Sequence, residues 1–222
     1  MLPDVSVVIT CYNYGRYLER CLRSVYNQEH TKRFSYEIII VNDCSIDNTE
    51  SIIRQFESKF DNLIYIYNIK NQGISRSCNS AIQSSNGRYI VRIDADDYVS
   101  RHFLFLLKFA LDKNRRYQAF CCDYIEVDDF ENNLRFVSPT EEQIACAVMY
   151  RKEYMIDVGL YDEEFEYREG HELNKRFRDK YEIGHLPIPL YFARKHDNNR
   201  SGNIEKISEY DQKLSLDKQE NP

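Results

Sequence analysis

The 222-residue chain lacks the composition of several specialised classes of protein. It has no basic surplus, because 30 Lys and Arg stand against 36 Asp and Glu and the formal net charge is −6. Neutralising nucleic-acid phosphates normally takes a basic surplus, so a nucleic-acid partner is disfavoured. No run of about 18 apolar residues occurs, and we therefore expect no transmembrane segment. Disorder is disfavoured because 42% of the residues are hydrophobic and 14% are aromatic.

Cysteine motifs and targeting signals are also missing. The seven cysteines form no CxxC pair and no Cys/His ligand spacing. This argues against a disulfide framework and against a structural zinc site of the cysteine type. The chain starts with Met-Leu-Pro-Asp, which leads directly into an apolar strand, with no basic region or cleavage signal. We therefore expect a cytoplasmic protein with reduced cysteines.

Short β-branched runs alternate with helical patterns through the first hundred residues. The predicted strands cover 5–10, 37–41, 63–67 and 89–93, and helices are predicted between them. Such an alternation predicts an α/β fold with a Rossmann-like, mostly parallel sheet and helices on both faces. At this length, one domain is expected.

The second half of the chain has a less regular pattern. The segments read from it are a helix at 103–111, a strand at 119–124, an irregular stretch at 125–143, a short helix at 151–158, a helix at 169–181 and a strand at 190–193. The stretch 125–143 is either a hairpin or a mobile loop. The mostly polar residues 201–222 are interpreted as a loosely packed or disordered tail.

An acidic cluster follows the fourth predicted strand. Asp94, Asp96 and Asp97 fall within four residues and repel one another unless a cation lies among them. Carboxylate oxygens are the ligands that Mg²⁺ and Mn²⁺ prefer, and such ions usually keep positions open for substrate phosphates. The alternative is an Asp-rich turn in which Asp97 caps the next helix.

Polar residues also follow the first two strands, where parallel sheets bind their ligands. Thr10, Tyr12 and Asn13 could contact a base, and Asp43 could accept hydrogen bonds from a base or a ribose. Taken singly, Asp43 is better explained as part of a turn, and the other three as residues of a sheet edge. The turn after the first strand has neither the GxGxxG pattern nor the P-loop pattern.

Two further clusters of charged residues could carry chemistry. Glu169, His171 and Glu172 stand near a helix start, where they could supply a general base or simply favour the helix dipole. Arg194 and His196 belong to a basic segment after the last strand. That segment could clamp a diphosphate, and His196 could complete a metal shell, but on its own the segment is better explained as a solvated basic turn.

Taken together and in order, these segments closely resemble the family 2 glycosyltransferases with the GT-A fold. The resemblance is carried by residues 5–13, 22–28, 37–49, 71–75 and 94–97, and it resumes at 159–165 and 189–201. It implies a GT-A-type single domain over residues 1–200. Residues 1–100 would be the nucleotide-binding half and 101–200 the acceptor-side half.

The resemblance also implies an activity and roles for residues. A sugar would move, with inversion, from a nucleotide diphosphate sugar (a UDP-, dTDP- or GDP-sugar) to a hydroxyl of a glycan or lipid-linked acceptor. The implied nucleotide-binding residues are Thr10, Tyr12, Asn13, Asp43, Arg76, Asn79, Asp94, Asp96 and Arg194. The implied ligands of Mn²⁺ or Mg²⁺ are Asp96, Asp97 and His196. Surface polysaccharide synthesis is the expected setting, and peripheral association with a membrane stays open.

The chain departs from the family pattern at two positions. Cys78 precedes Asn79 where the family often has Arg, and Arg76 is the expected substitute. Gly170 follows Glu169 where the family usually has the Asp that serves as base. Glu169 is then the first candidate base, ahead of Glu172 and His171. The alternative is a protein that binds a nucleotide sugar with little or no transfer. A nucleotidyltransferase is a poor match, because the first turn lacks a Gly-rich basic phosphate loop.

Overall fold

A computed structural model describes residues 2–197 and 199–220. Its first half alternates strands with helices, as the sequence predicts. The elements are β1 (Val5–Cys11), α1 (Gly15–Tyr26), β2 (Tyr36–Asn42), α2 (Thr49–Glu57), β3 (Leu63–Tyr67), α3 (Ile74–Ser84) and β4 (Tyr89–Arg92). The four strands are parallel and lie in the order β3-β2-β1-β4.

The second half extends the same sheet with strands of both directions. Its elements are β5 (Tyr98–Val99), α4 (Phe103–Lys113), β6 (Ala119–Val127), β7 (Asn133–Val137), β8 (Val148–Arg151), α5 (Lys152–Asp157), α6 (Glu169–Lys180), β9 (Ile183–Arg194) and α7 (Ile204–Glu220). β8 runs antiparallel between β4 and β6, and β6 runs parallel to β9. β5 and β7 add short antiparallel pairings to β9 and β6.

Alternate residues of the central strands face two separate apolar cores. Val7 and Ile9 of β1 pack with α1, α2 and α4 on one side of the sheet. Val8 of the same strand packs with α3, α5 and α6 on the other side. The strict alternation follows from the pleat of a β-strand, and it explains why β1 reads as a continuous apolar run. Helices therefore cover both faces, as predicted.

The segment 125–143 and the C-terminal residues are more ordered than the sequence pattern suggests. β6 and β7 form a hairpin, one of the two alternatives for the irregular stretch. Within the expected loosely packed or disordered tail, Ile204–Glu220 form the helix α7, so disorder is wrong for this stretch. Residues 204–215 are all exposed or half-buried, in keeping with loose packing. This helix is held by the ion pair of Arg168 with Asp211 and by the ring contact of Phe165 with Tyr210. An apolar stripe, the signal that sequence patterns detect, contributes little to it.

The strand register brings the polar strand ends to one edge of the sheet. Cys11 at the end of β1 pairs with Asn42 at the end of β2. β4 ends beside β1, where the backbone N–H of Ile93 donates to the carbonyl of Val8. The residues that follow these three strands therefore converge. Within the part of the chain that the structure describes, no helix is long and apolar enough to cross a membrane.

Candidate active site

Two adjoining cavities open at the carboxyl ends of β1, β2 and β4. The larger has a volume of about 660 Å³ and the smaller of about 210 Å³. Both are lined by Thr10, Tyr14, Ile74, Tyr167 and Arg200. Because the same five residues line both, the two cavities adjoin and make one cleft. An elongated ligand can therefore reach from β2 to the acidic cluster after β4.

Asp43 lines the larger cavity, together with Tyr12 and Asn13. The Asp43 side chain is buried, and its Oδ1 accepts hydrogen bonds from the Asn68 side chain at 2.8 Å and the Gln72 N–H at 2.9 Å. Its Oδ2 accepts one from the Gly73 N–H at 2.9 Å. Asp43 thus holds the 72–73 loop, while Oδ2 keeps capacity to accept a further hydrogen bond.

Asn13 shapes the rim of the larger cavity. It adopts a left-handed backbone conformation with φ 58°. Its N–H donates to the Ser45 hydroxyl, and its side-chain carbonyl accepts from the Ile46 N–H, both at 2.9 Å. Asn is one of the few residues that tolerate this conformation. Asn13 therefore ties the loop after β1 to the loop after β2.

The three aspartates after β4 form a compact oxygen cluster. Asp94, Asp96 and Asp97 each present an oxygen within 4.8 Å of the others. Asp94 and Asp96 line the smaller cavity, whereas Asp97 lies behind them, hydrogen-bonded to the Tyr191 hydroxyl and the Arg194 N–H. Burial, and then the charges of Asp96 and Asp94, raise the pKa of Asp97 well above its usual range. Such an oxygen set fits a hard divalent cation, which would relieve the mutual repulsion.

His196 and Asn199 both contact one carboxylate oxygen of Asp96. The Nε2 of His196 lies 3.1 Å from Asp96 Oδ2, and the Asn199 amide donates to the same oxygen at 3.2 Å. His196 is buried and stacks on Tyr17, with ring centroids 4.6 Å apart. The structure brings His196 to the acidic cluster, where it contacts Asp96.

A buried arginine links the acidic cluster to the start of α6. The guanidinium of Arg92 donates to Asp94 Oδ1 at 2.8 Å and to Glu169 Oε1 at 2.8 Å. Sequence reasoning missed Arg92, although a charged residue inside an otherwise apolar strand was a signal that it must have buried partners. It fixes the separation between the first aspartate and the first candidate base.

The candidate bases at the start of α6 have different surroundings. Glu169 and His171 line the smaller cavity. Burial, and then the charge of Arg168, lower the pKa of His171. Glu172 is instead buried in an ion pair with Arg176, whose guanidinium also binds the carbonyls of Val158 and Leu160. Glu172 is therefore placed as a structural residue and lies outside the cavity lining.

Gly170 packs directly against the loop before β8. A Cβ atom at this position would lie 2.2 Å from the Ala145 Cβ and 2.6 Å from the Ala145 Cα. Real Cβ atoms do not approach other atoms so closely. Glycine is therefore required by the present position of Ala145, and the Asp that the family usually has would not fit here without a shift of that loop.

Three other predicted residues make structural contacts in place of lining the cleft. Arg76 pairs with Glu163 at 2.9 Å on the surface. The Asn79 side chain bonds the backbone N–H and carbonyl of Tyr161. The buried guanidinium of Arg194 binds the backbone carbonyls of Asp96 and Asp129. These side chains hold the fold together, because each one bonds backbone groups or a carboxylate close to it.

Arg200, rather than Arg194, lies in the cleft, where the sequence suggested an arginine that binds the diphosphate. It lines both cavities, and its guanidinium lies over the Tyr167 ring, 4.7 Å from the ring centroid. Sequence reasoning noted the basic segment but chose another arginine in it. The direction of each side chain after β9 depends on the tertiary path of the segment, which residue spacing does not encode.

The comparisons with known proteins agree with this architecture. A family model described as glycosyl transferase family 2 matches residues 6–187. The poly(ribitol-phosphate) beta-glucosyltransferase of Bacillus spizizenii is 37% identical over 101 residues, which are 45% of this chain and 16% of that protein. The matches to the first curated relatives span no more than 36% of their length.

Two solved structures share the fold at low sequence identity. TarS of S. aureus, residues 1–349 with UDP-GlcNAc, superposes with a TM-score of 0.79 at 20% identity, over 96% of this chain and 66% of that one. The mannosyltransferase PcManGT of Pyrobaculum calidifontis, with GDP-Man and Mn²⁺, gives a TM-score of 0.77 at 15% identity, over 100% and 66%. The α/β fold of the GT-A type is confirmed, and the chain belongs to glycosyl transferase family 2.

Proposed function

We propose that the protein transfers a sugar, with inversion, from a nucleotide diphosphate sugar to an acceptor hydroxyl, in the synthesis of a surface polysaccharide or glycan. The observation that carries the proposal is the single cleft that joins Asp43 to the acidic cluster. The nucleoside lies in the larger cavity, and the diphosphate and sugar extend into the smaller one. The relative that acts on poly(ribitol-phosphate) supports a cell-wall type of polymer.

The larger cavity offers the groups that a nucleoside needs. Asp43 Oδ2 accepts a hydrogen bond from a base N–H, because Gly73 occupies only one of its acceptor sites. Tyr12 is 47% exposed at the rim and can lie against a base. Thr10 stands between the two cavities and can bond the ribose. The solved relatives carry UDP-GlcNAc and GDP-Man, which supports a donor of this class.

The smaller cavity is acidic, although a diphosphate is an anion. Asp94 and Asp96 would hold a divalent ion, Mn²⁺ or Mg²⁺, with Asp97 behind them. When bound, such an ion neutralises the charge that grows on the departing diphosphate. His196 and Asn199 keep Asp96 Oδ2 in place. Arg200 lines both cavities and adds a cation that can bond a phosphate oxygen.

Glu169 is the first candidate for accepting the proton of the acceptor hydroxyl. Its side chain lines the smaller cavity, and its Oε1 is committed to Arg92. Its other carboxylate oxygen, Oε2, would receive the proton as the hydroxyl attacks the sugar. His171 is the second candidate, since its lowered pKa keeps the imidazole neutral at neutral pH. Its Nε2, however, lies 3.3 Å from the Arg168 guanidinium, which can only donate.

A second candidate function rests on Gly170. The helix start carries no side chain at the position where the family usually has its base, and Ala145 occupies the adjoining space. If Glu169 does not replace that base, the protein binds a nucleotide sugar and transfers it slowly or not at all. The donor site is unchanged in this alternative.

Release of UDP, dTDP or GDP from a panel of donors and acceptors, with Mn²⁺ or Mg²⁺, tests the proposal. We expect turnover that Asp96→Ala abolishes and that Asp61→Ala, a change in an exposed turn, leaves intact. Turnover that survives Asp96→Ala would overturn the role of Asp96. A metal-dependent rise in melting temperature with a nucleotide sugar, without transfer to any acceptor, would instead support the second candidate.

A further inference from the structure

A second cluster of metal-binding side chains lies outside the cleft. Glu29, His30 and His102 each present a ligand atom, and these atoms lie within 4.8 Å of one another. Glu29 and His30 follow α1, whereas His102 immediately precedes α4. No short ligand spacing reveals this group, because two members are far from the third in the sequence. None of the three is among the residues that line the two cavities.

The backbone that carries the three residues is tightly held. The Glu29 N–H donates to the Arg101 carbonyl at 2.8 Å. The buried Gln28 side chain donates to the Ser100 carbonyl at 2.8 Å and accepts from the Leu104 N–H at 2.9 Å. These hydrogen bonds join the turn after α1 to the start of α4. The ligands are therefore brought together before any ion binds, which reduces the entropy cost of binding.

His30 has an unusual conformation that keeps its imidazole beside His102. Its φ is 63°, in the left-handed region that few residues with a side chain adopt. Its ring packs against Phe105, with centroids 4.4 Å apart, and lies 5.8 Å from the His102 ring. Strained backbone of this kind is retained where the surroundings determine it, and binding sites are a common reason.

Arg101 orients Glu29 toward the histidines. Its guanidinium bonds Glu29 Oε1 at 3.0 Å, and Glu29 Oε2 then lies 3.7 Å from His102 Nδ1. Carboxylates that bind metals are usually held by such an outer hydrogen bond. One oxygen of Glu29 is thus fixed by Arg101, while the other remains directed at His102.

We propose that Glu29, His30 and His102 form a site for a divalent transition-metal ion such as Zn²⁺. Two imidazoles and one carboxylate are a ligand set that suits zinc, and water would fill the remaining position. Bonds of about 2.0–2.2 Å require ligand atoms about 3.4 Å apart in a tetrahedral site. His30 is exposed and the other two side chains are about two-fifths exposed, so they can close this difference by small rotations.

The bound ion would connect the turn after α1 to the first residue before α4. β5 lies directly between His102 and the acidic cluster, so the ion would brace the segment that leaves Asp97. The role inferred here is structural, and it does not depend on the proposed transfer reaction. Stabilisation by the ion follows from its binding to the folded chain, where the three ligands are assembled.

Calorimetric titration of the full, metal-free chain with Zn²⁺ tests the site. We expect one strong equivalent that Asp96→Asn leaves intact, because the acidic cluster is separate. His30→Ala and His102→Ala should each lower the affinity of this equivalent by more than about tenfold. Mutating even a residue that only hydrogen-bonds a metal ligand typically lowers metal affinity about 10- to 100-fold. Lys32→Ala, a change at an exposed neighbour, is the matched control. Loss of the strong equivalent in Asp96→Asn, or unchanged affinity in both histidine variants, would overturn the proposal.

Imidazole ¹⁵N spectra identify the ligands directly, even if a variant folds poorly. The chain has five histidines, at 30, 102, 171, 185 and 196. The first equivalent of Zn²⁺ should change the ring-nitrogen shifts of His30 and His102 and leave the other three unchanged. Changes confined to His171, His185 or His196 would place the ion elsewhere and refute the site. The melting temperature of the wild-type chain should rise with Zn²⁺, whereas that of His102→Ala should not.

Discussion

The guanidinium of Arg92 joins Glu169 to Asp94 across the floor of the cleft, at 2.8 Å from one oxygen of each. Arg92 is only 5% exposed, and Glu169 is buried as well. A single buried cation therefore sets the geometry between a candidate metal ligand and the candidate base. It also connects the end of β4 to the start of α6, two elements that are distant in the sequence.

We expect Arg92→Met to destabilise the protein strongly. The change leaves Asp94 and Glu169 without their shared cation, and removal of one partner from a buried ion pair costs about 3–5 kcal/mol. The free energy of unfolding, measured in urea, should fall by this amount. The matched control is Arg76→Met, which breaks the exposed pair with Glu163 and should cost about 0–1 kcal/mol.

Equal stability of the two variants would contradict the structural role of Arg92. If the Arg92 variant retains its fold, its rate of transfer should still fall, because Glu169 is no longer held beside the cleft. A variant that unfolds readily but turns over at the wild-type rate when folded would show that Arg92 stabilises the chain without positioning the base.

Gly170→Ala should destabilise the protein, because the added Cβ would overlap Ala145. Overpacking of a close contact typically costs about 1–3 kcal/mol. The control Gly202→Ala meets no atom within 4 Å and should change stability by less than about 0.5 kcal/mol. Urea unfolding of both variants measures the difference.

The same contact bears on transfer by a Gly170→Asp variant. A carboxylate at this position would need the loop at Ala145 to move, so we expect it to lower stability without increasing turnover. A gain in turnover with unchanged stability would show that the Ala145 loop yields readily, and that the site accepts the acid which the family usually has there.

The sequence predicted the parallel half of the sheet well because β1, β2 and β4 are buried on both faces and their sequences are nearly continuous apolar runs. The run at 63–67 coincides with β3, an edge strand that is only partly buried, and its aliphatic and aromatic residues were enough to identify it. β7 was not identified as a strand, since four of its five residues are exposed and carry no burial pattern. Parallel sheets bind ligands at the carboxyl ends of their strands, and this placed Asp43 and the acidic cluster at one edge of the sheet. Arg92 and Arg200 could not be assigned, because their partners depend on packing between distant segments.

Stability should fall in mildly acidic solution because of His171. Burial and Arg168 lower the pKa of this imidazole in the folded protein below its ordinary 6.5, while Glu169 and Asp211 act in the opposite direction. Below about pH 6.5, His171 therefore binds a proton more readily in the unfolded chain than in the folded one. The free energy of unfolding is accordingly lost as the pH falls through this range. Melting temperatures between pH 5 and 7.5 measure the effect.

His171→Gln should make that pH dependence shallower, because glutamine does not titrate. His30→Gln, which removes an exposed imidazole, serves as the control in buffer with a chelator. If the slope of melting temperature against pH is the same in His171→Gln as in the wild type, His171 is not the group that couples folding to protons in this range.

Substitution of Arg200 should mainly weaken donor binding, and substitution of Arg194 should mainly lower stability, although the two residues are close in the sequence. Arg200 lines both cavities, so Arg200→Ala should raise KM for the donor by about 10- to 100-fold, the value of one charge-assisted hydrogen bond. Its stability should change by less than about 1 kcal/mol. Arg194→Ala removes a buried guanidinium from the carbonyls of Asp96 and Asp129 and should cost more than about 2 kcal/mol.

Kinetics with varied donor concentration and urea unfolding of the same two variants make the distinction. The folded Arg194 variant should lose turnover through displacement of Asp96, whose backbone it holds, and so show a fall in kcat. The Arg200 variant should keep most of its kcat at saturating donor. The reverse pattern, with KM raised by Arg194→Ala and stability lowered by Arg200→Ala, would mean that the end of β9 and the residues after it rearrange when the donor binds and present Arg194 to the diphosphate.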